Sequence, residues 1–304
     1  MGRYLGIAGI QMRVFRGQDN SDAMMEKLHT VSTQFPWVDL VFFSELCACG
    51  LNPDLAISIP NPTVDKFCAW AIREKKWLIP GSVYEREQKK VYNTSIVISP
   101  DGEIVTRYRK LFPWAPLEQN EAGESFCVFD IPNKGRIGLC ICYDQWFPEV
   151  IRTLAWMGAE AVVHPTASYT SDRALELVLS QANAIANQVY FLSVNGIEGG
   201  GIGQSIFVDP EGHVLQTSGE GEMILTEVID LDMVSRVREY GTLGLCQVWK
   251  SLGSFGHRFP VYMDDIRRGE IFKNLGQLKL HGKIGDELPA YSLSKLKQKG
   301  GDSH

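Results

Sequence analysis

Patterns that read as strand and patterns that read as helix take turns along this chain almost from end to end, and no other feature restricts the fold as much. Strands that alternate with amphipathic helices build sheets covered by helices, because a helix hides its apolar stripe on a sheet face. Residues 4–12 read as a strand, and 21–35 follow as a helix with Met24, Leu28 and Val31 at helical spacing. Residues 38–43 are a short apolar run of buried-strand type, ending where Ser44-Glu45 opens a loop, and 64–75 read as helix. Residues 77–84 and 92–99 read as neighbouring strands joined by the charged stretch 85–90, and Pro100-Asp101-Gly102 turns into another at 104–108.

The second half repeats the alternation. A strand at 136–141 leads to a helix at 147–157, with Pro148 in its first turn and Gly158 past its end. A strand at 161–164 precedes a helix that runs to Asn187 with Asp172 as its N-cap, and 189–194 is the next strand. Strands at 204–208 and 213–217 flank the turn Pro210-Glu211-Gly212. Hairpins mixed with strand-helix units predict an α/β architecture of two mixed sheets with helices on the outer faces, not one doubly wound sheet. From Thr242 onward the periodicity weakens and Gly, Lys and Ser accumulate, so residues 1–241 are expected to form one domain and 242–304 an extended tail.

Composition narrows the classes of function. With 44% hydrophobic and 22% charged residues, the 304-residue chain has the balance of a soluble enzyme with a sizeable core. A formal net charge of -6 argues against a nucleic-acid partner, which needs clustered Lys and Arg. No apolar run is long enough for a membrane span, and the N-terminus enters the first strand without a secretory signal, so a cytoplasmic location is expected. Seven cysteines, an odd number without an export signal, do not suggest a disulfide framework.

Glu45, Lys110 and Cys142 each lie at the end of an apolar run, where the loops of α/β proteins gather into sites. Cys142 stands on a strand-to-helix turn, where backbone amides favour a thiolate and can receive an oxyanion. Alone this is weak, since a cysteine in an apolar stretch is most often inert filling. Pairing Cys142 with His164 would make a Cys-His hydrolase, but a histidine ending an apolar strand is more often a hydrogen-bonded structural group than a base. The Cys-x-Cys pairs 47/49 and 140/142 lack both the spacing of a zinc site and a histidine cluster. The glycine-rich stretch 199–203 lacks the Lys-Ser/Thr of a phosphate-binding loop.

Three blocks supply the partners: Phe42-Phe43-Ser44-Glu45, Arg109-Lys110-Leu111, and Cys142-Tyr143-Asp144-Gln145-Trp146-Phe147-Pro148-Glu149. In the order Glu, Lys, Cys they resemble the nitrilase (carbon-nitrogen hydrolase) superfamily, with further likeness at Tyr92-Asn93-Thr94-Ser95, His164-Pro165-Thr166-Ala167 and Gly203-Gln204-Ser205. The subgroup most similar in motif is the aliphatic amidases, whose lysine block looks like Lys110 to Glu118, with Pro113-Trp114 and an acidic residue after Pro116-Leu117. The resemblance implies a four-layer αββα sandwich, a tail that wraps a partner subunit in a homodimer or larger assembly, and hydrolysis of a small neutral amide without metal or cofactor.

It also implies roles: Cys142 as nucleophile, Glu45 as acid and base, Lys110 with the Tyr143 N–H on the oxyanion, and Glu118 orienting Lys110 or Glu45. Trp114, Tyr143, Trp146 and His164 are the candidates for the substrate-binding wall. Two departures leave the substrate open, since Leu46 stands where aliphatic amidases carry Tyr and Trp146 where they carry Asn. A nitrilase, an N-carbamoyl amide hydrolase and a non-catalytic binding relative are the alternatives.

Overall fold

The first strand, β1 (Tyr4–Gln11), buries every residue but its first, so both of its faces are covered. After the short β2 (Arg13–Val14), helix α1 (Ser21–Gln34) turns Met24, Leu28 and Val31 inward, and β3 (Leu40–Phe43) runs parallel to β1. Helix α2 (Pro62–Glu74) opens with Pro62 at a position that needs no N–H, and the Asn61 side chain accepts from the Thr63 N–H as its cap. The strand expected over 77–84 is in fact two, β4 (Trp77–Ile79) and β5 (Ser82–Glu87). Pro80 has no N–H for a ladder, and Gly81 adopts φ +74 where an added Cβ would lie 1.9 Å from the Ser44 carbonyl oxygen. The long β6 (Lys90–Ile98) pairs antiparallel with β4, β5 and β7 (Ile104–Arg109).

The second sheet begins with β8 (Cys127–Ile131) and β9 (Gly135–Leu139). Helix α3 (Pro148–Trp156), β10 (Ala161–Thr166), helix α4 (Arg173–Asn187) and β11 (Tyr190–Asn195) follow as right-sized βαβ units with parallel pairing. Asp172 precedes α4 as expected, but its carboxylate makes no cap bond to the helix; it accepts from the Thr170 hydroxyl. After β12 (Ile197–Glu198), strands β13 (Ile206–Val208) and β14 (Val214–Thr217) complete this sheet. The chain then returns through β15 (Met223–Asp230) to pair antiparallel with all eight residues of β1, and α5 (Leu231–Tyr240) follows with the Asp230 carboxylate as its cap.

The strand orders are β15-β1-β3-β4-β6-β5 and β14-β13-β11-β10-β9-β8. One apolar core lies between the sheets, where Ile7, Leu40 and Phe42 meet Leu139, Val163 and Phe207. A second lies between the outer face of the first sheet and α1 and α2, built on Val41, Phe43, Leu28, Phe67 and Trp70. Helices α3 and α4 cover the other sheet, which gives the α/β four-layer order helix, sheet, sheet, helix.

The computed structural model describes residues 2–275 except 116, 257, 264 and 265, and residue 278. Two units divide it: Met1–Pro113 with Asn120–Val248, which holds both sheets, and Trp114–Gln119 with Trp249–His304. In the described part of the second unit, Phe255 and Phe259 stack at 4.9 Å and many apolar side chains are exposed, Tyr262, Met263 and Ile271 among them. Among the described residues no helix is long and apolar enough to cross a membrane.

Candidate active site

The three candidate residues each lie just past the end of a strand. β3 stops at Phe43, and two residues on Glu45 is buried at 2% exposure with its Oε1 accepting from Asn93 Nδ2 at 2.7 Å and Lys110 Nζ at 2.9 Å. Lys110 directly follows β7 and is wholly buried, its backbone held on both sides: its N–H donates to the Asn93 carbonyl and its carbonyl accepts from Gly123 N–H, at 2.9 and 2.8 Å. Only glycine fits at 123, since a Cβ would lie 2.1 Å from the Arg109 carbonyl oxygen. Burying a carboxylate and an ammonium costs several kcal/mol for each ion and is offset only by close pairing and further hydrogen bonds. Asn93 supplies one of these to Glu45 and fixes the lysine backbone as well.

On the other sheet β9 ends at Leu139, and Cys142 opens a single 3-10 turn, Cys142–Trp146. Its φ is +47, a left-handed conformation that costs a non-glycine residue about 1 kcal/mol or more. Its carbonyl accepts from His164 Nε2 at 2.9 Å, and His164 Nδ1 meets Ser193 Oγ at 3.0 Å. A carbonyl only accepts, so Nε2 carries the proton and Nδ1 is the acceptor for the serine hydroxyl. Burial pushes His164 down to about 4, which keeps it neutral near pH 7.

Asp144 binds the two sheets' loops together. It is fully buried, and its carboxylate accepts from the Tyr108 hydroxyl at 2.6 Å, from Ile141 N–H at 2.9 Å and from Phe112 N–H at 2.9 Å. Burial nevertheless raises it to about 6, against the pull of those donors and of Lys110. Phe112 lies two residues past Lys110 and Asp144 two past Cys142, so this carboxylate ties the lysine loop to the cysteine loop. Similarly, Glu45 N–H donates to the Thr166 carbonyl at 3.3 Å, tying the glutamate loop to the strand that carries His164.

Around the cysteine turn the aromatics form a cluster. Phe112 stacks on Phe147 at 3.6 Å, Tyr143 meets Phe147 edge-on at 5.1 Å, and Tyr143 and Trp146 lie 6.3 Å apart. Tyr143 and Trp146 are half-buried, whereas His164 is fully enclosed. Trp114 and Glu118 belong to the second unit, where the Glu118 carboxylate accepts from Trp114 N–H at 2.7 Å and closes its own turn.

Sequence reasoning singled out none of Asn93, Tyr108, Phe112, Asp144, Phe147 or Ser193 for a role. Asn93 and Asp144 stand inside the quoted blocks, beside the start of one run and just past the end of another; Ser193, in the middle of an apolar strand, gives no signal.

Cys47, Cys49, Cys127 and Cys140 are buried and behave as filling. Burial pushes the thiols of Cys47 and Cys49 up to about 12 and about 11, and that of Cys140 well above its ordinary value. Among the described residues no group of three or more His, Cys, Asp or Glu is placed to hold a metal ion.

Known proteins resemble this chain in sequence and in fold. The model of the family described as carbon-nitrogen hydrolase matches residues 6–239. Formamidases of Bacillus cereus (strain B4264) and Bacillus anthracis are 33% identical over 181 residues, which cover 57% of this chain and 54% of each relative. The matched segment thus spans about half the length of those curated relatives. Among solved structures, Nit3 of Saccharomyces cerevisiae, a member of branch 10 of the nitrilase superfamily, is 26% identical with a TM-score of 0.70, over 78% of this chain and 94% of that one. An amidase from Nesterenkonia sp. shares the fold at 23% identity and a TM-score of 0.70, over 79% and 95% of the two chains. With its family model matched over both sheets and its αββα layers shared with these structures, the chain belongs to the carbon-nitrogen hydrolase family, within the nitrilase superfamily.

Proposed function

We propose that this protein hydrolyses the C–N bond of a small neutral amide to a carboxylic acid and ammonia, with Cys142 as nucleophile. The observation that carries the reading is the fully buried Lys110–Glu45 pair, set at the strand ends and tied by Asp144 to the cysteine turn. Glu45 takes the thiol proton as the sulfur attacks the amide carbon, and the oxyanion is received by Lys110 Nζ and the Tyr143 N–H. The protonated Glu45 returns its proton to the nitrogen as the C–N bond breaks, so ammonia leaves and a thioester remains. Glu45 then draws a proton from water, hydroxide adds to the thioester, and collapse releases the acid and restores the thiol. Glu118, eight residues past Lys110, is assigned the orienting of Lys110 or Glu45 on the strength of that spacing. No step requires a metal or cofactor.

The preference for an uncharged substrate rests on where the arginines are. Relatives acting on carbamoyl amino acids carry arginine three or four residues past the cysteine; here those positions are Gln145 and Trp146. Arg173 is fully buried and donates to Glu176 and to the Gln204 carbonyl at 2.9 and 2.8 Å, and Arg152 donates to the Ala186 carbonyl at 2.8 Å. A substrate carboxylate beside Tyr143 and Trp146 would be desolvated without a bidentate partner, at a cost of several kcal/mol. Nitrile-cleaving relatives carry Trp-Glu after the cysteine, where this chain has Tyr143-Asp144. The test compares kcat/KM for formamide, propionamide, propionitrile and an N-carbamoyl amino acid. The amides should lead, and a tenfold advantage for nitrile or carbamoyl substrate would overturn the assignment.

The tail 242–304 is proposed to lie at a subunit interface in a homodimer or larger assembly. Its described part exposes more large apolar side chains than a lone soluble chain usually tolerates in one stretch, Leu243, Leu245 and Tyr262 among them. Light scattering at micromolar concentration should give a multiple of the 34.0 kDa chain mass; a monomer refutes it.

A further inference from the structure

We infer that His164 is a positioning residue that aims the Tyr143 N–H into the oxyanion site by holding the carbonyl of the same peptide group, rather than a residue that touches substrate. The inference rests on the amide-hydrolysis reading above and refines it. A trans peptide is planar, and its C=O and N–H point in opposite directions. The bond from His164 Nε2 to the Cys142 carbonyl, at 2.9 Å, therefore fixes the direction of the Tyr143 N–H on the far side of the peptide. That constraint matters here because Cys142 sits at φ +47, in a conformation that an L-residue leaves readily unless its surroundings hold it.

The histidine is itself held so that only one tautomer serves. Ser193 Oγ lies 3.0 Å from Nδ1, and Arg173 Nη2 approaches the same oxygen at 3.5 Å. With the arginine on its oxygen, the serine hydroxyl has its proton to give to Nδ1, which leaves Nε2 as the protonated nitrogen. Arg173 is in turn neutralised by Glu176 at 2.9 Å, so the assembly behind the cysteine carries no net charge. His164 and Ser193 are both fully buried, and the ring packs against Phe191 with centroids 5.3 Å apart, so it has no room to swing toward a substrate.

The experiment separates aiming of the peptide from reactivity of the thiol. N-ethylmaleimide alkylation of Cys142, followed by peptide mass mapping, reads the sulfur without calling on the oxyanion site; turnover of propionamide reads both. His164→Leu should lower kcat by about 100-fold or more, the usual loss for one oxyanion donor, with KM changed less than about threefold and the alkylation rate within about threefold of wild type. His164→Gln, whose amide N–H reaches as Nε2 does, should recover at least tenfold of that loss. Ser193→Ala, a small change that leaves the ring in place, should fall between and keeps the inference testable if the leucine variant does not fold. Kinetics of His164→Leu or Ser193→Ala equal to wild type overturn the inference, as does a loss that glutamine does not restore. Failure of the underlying reading looks different: wild-type protein itself then releases no ammonia from any amide, or Cys142→Ala leaves turnover intact.

Discussion

The two sheets meet at one site but hold their residues there by different means. On the first sheet the charges are in direct contact, with the Lys110 ammonium on the Glu45 carboxylate and almost no exposed surface to share the field with water. Against the second sheet, on α4, an equally buried pair, Arg173 and Glu176, stands back from the cysteine and is linked to it through Ser193 and a neutral histidine. On the proposed mechanism the contrast matches what each side is asked to do. A proton carrier and an oxyanion partner work by charge at short range, whereas a nucleophile loop needs a fixed shape, which neutral hydrogen bonds give without a second cation crowding the first.

The contrast is broken most severely by removing the sulfur. Cys142→Ala should abolish ammonia release, by several orders of magnitude, while circular dichroism and the melting temperature stay near wild type, because a small half-buried side chain is lost and no ion is stranded. Turnover retained above about one per cent would remove Cys142 from the mechanism.

Next in size is the ion pair. Lys110→Ala should lose activity and also about 3–5 kcal/mol of stability in denaturant unfolding, because Glu45 is left charged and buried. The double variant Glu45→Gln with Lys110→Met should regain most of that stability and none of the activity. A single variant as stable as wild type would show that the pair is reached by water.

The smallest effect is a pH dependence of stability from His164. Its folded value of about 4 lies below its ordinary 6.5, so as pH falls between them the unfolded chain takes up a proton that the folded chain refuses. The histidine's contribution is complete above about 6.5 and is lost toward 4, by up to about 3 kcal/mol. Asp144, raised to about 6 from 3.8, acts with the opposite sign, being favoured in the folded chain at low pH and disfavoured as pH rises through 6. Comparing wild type with His164→Gln from pH 4 to 7 cancels the aspartate; parallel stability curves would mean that His164 titrates as it does in water.

Period and punctuation made most of the layers legible. The helices at Ser21–Gln34 and Pro62–Glu74 fall within two residues of the expected spans, because apolar spacing and the Pro at a first turn are local signals. β8 and β15 were not anticipated, and β15 shows why: it is strand only because β1 offers it eight partners from the far end of the sequence. The strand expected over 77–84 broke at Pro80-Gly81 for a tertiary reason as well, the close approach of the Ser44 carbonyl. At the site, the residue types with reactive chemistry stood out at the ends of their runs. The groups that hold them did not, because Asn93, Asp144 and Ser193 acquire meaning only from neighbours 48, 32 and 29 positions away.

The pairing of β1 with β15 also sets an order of events during synthesis. Tyr4 lies opposite Asp230 and Gln11 opposite Met223, so one edge of β1 stays open until residues 223–230 have been translated. Its other edge can be closed early by β3, which is local in sequence. The nascent chain must therefore carry a largely apolar strand with one unpaired edge until β15 emerges, the kind of contact that slows folding and invites association with other chains. Residues 4–11 are then the segment whose exposure during synthesis this topology prolongs, whatever reaction the finished protein performs.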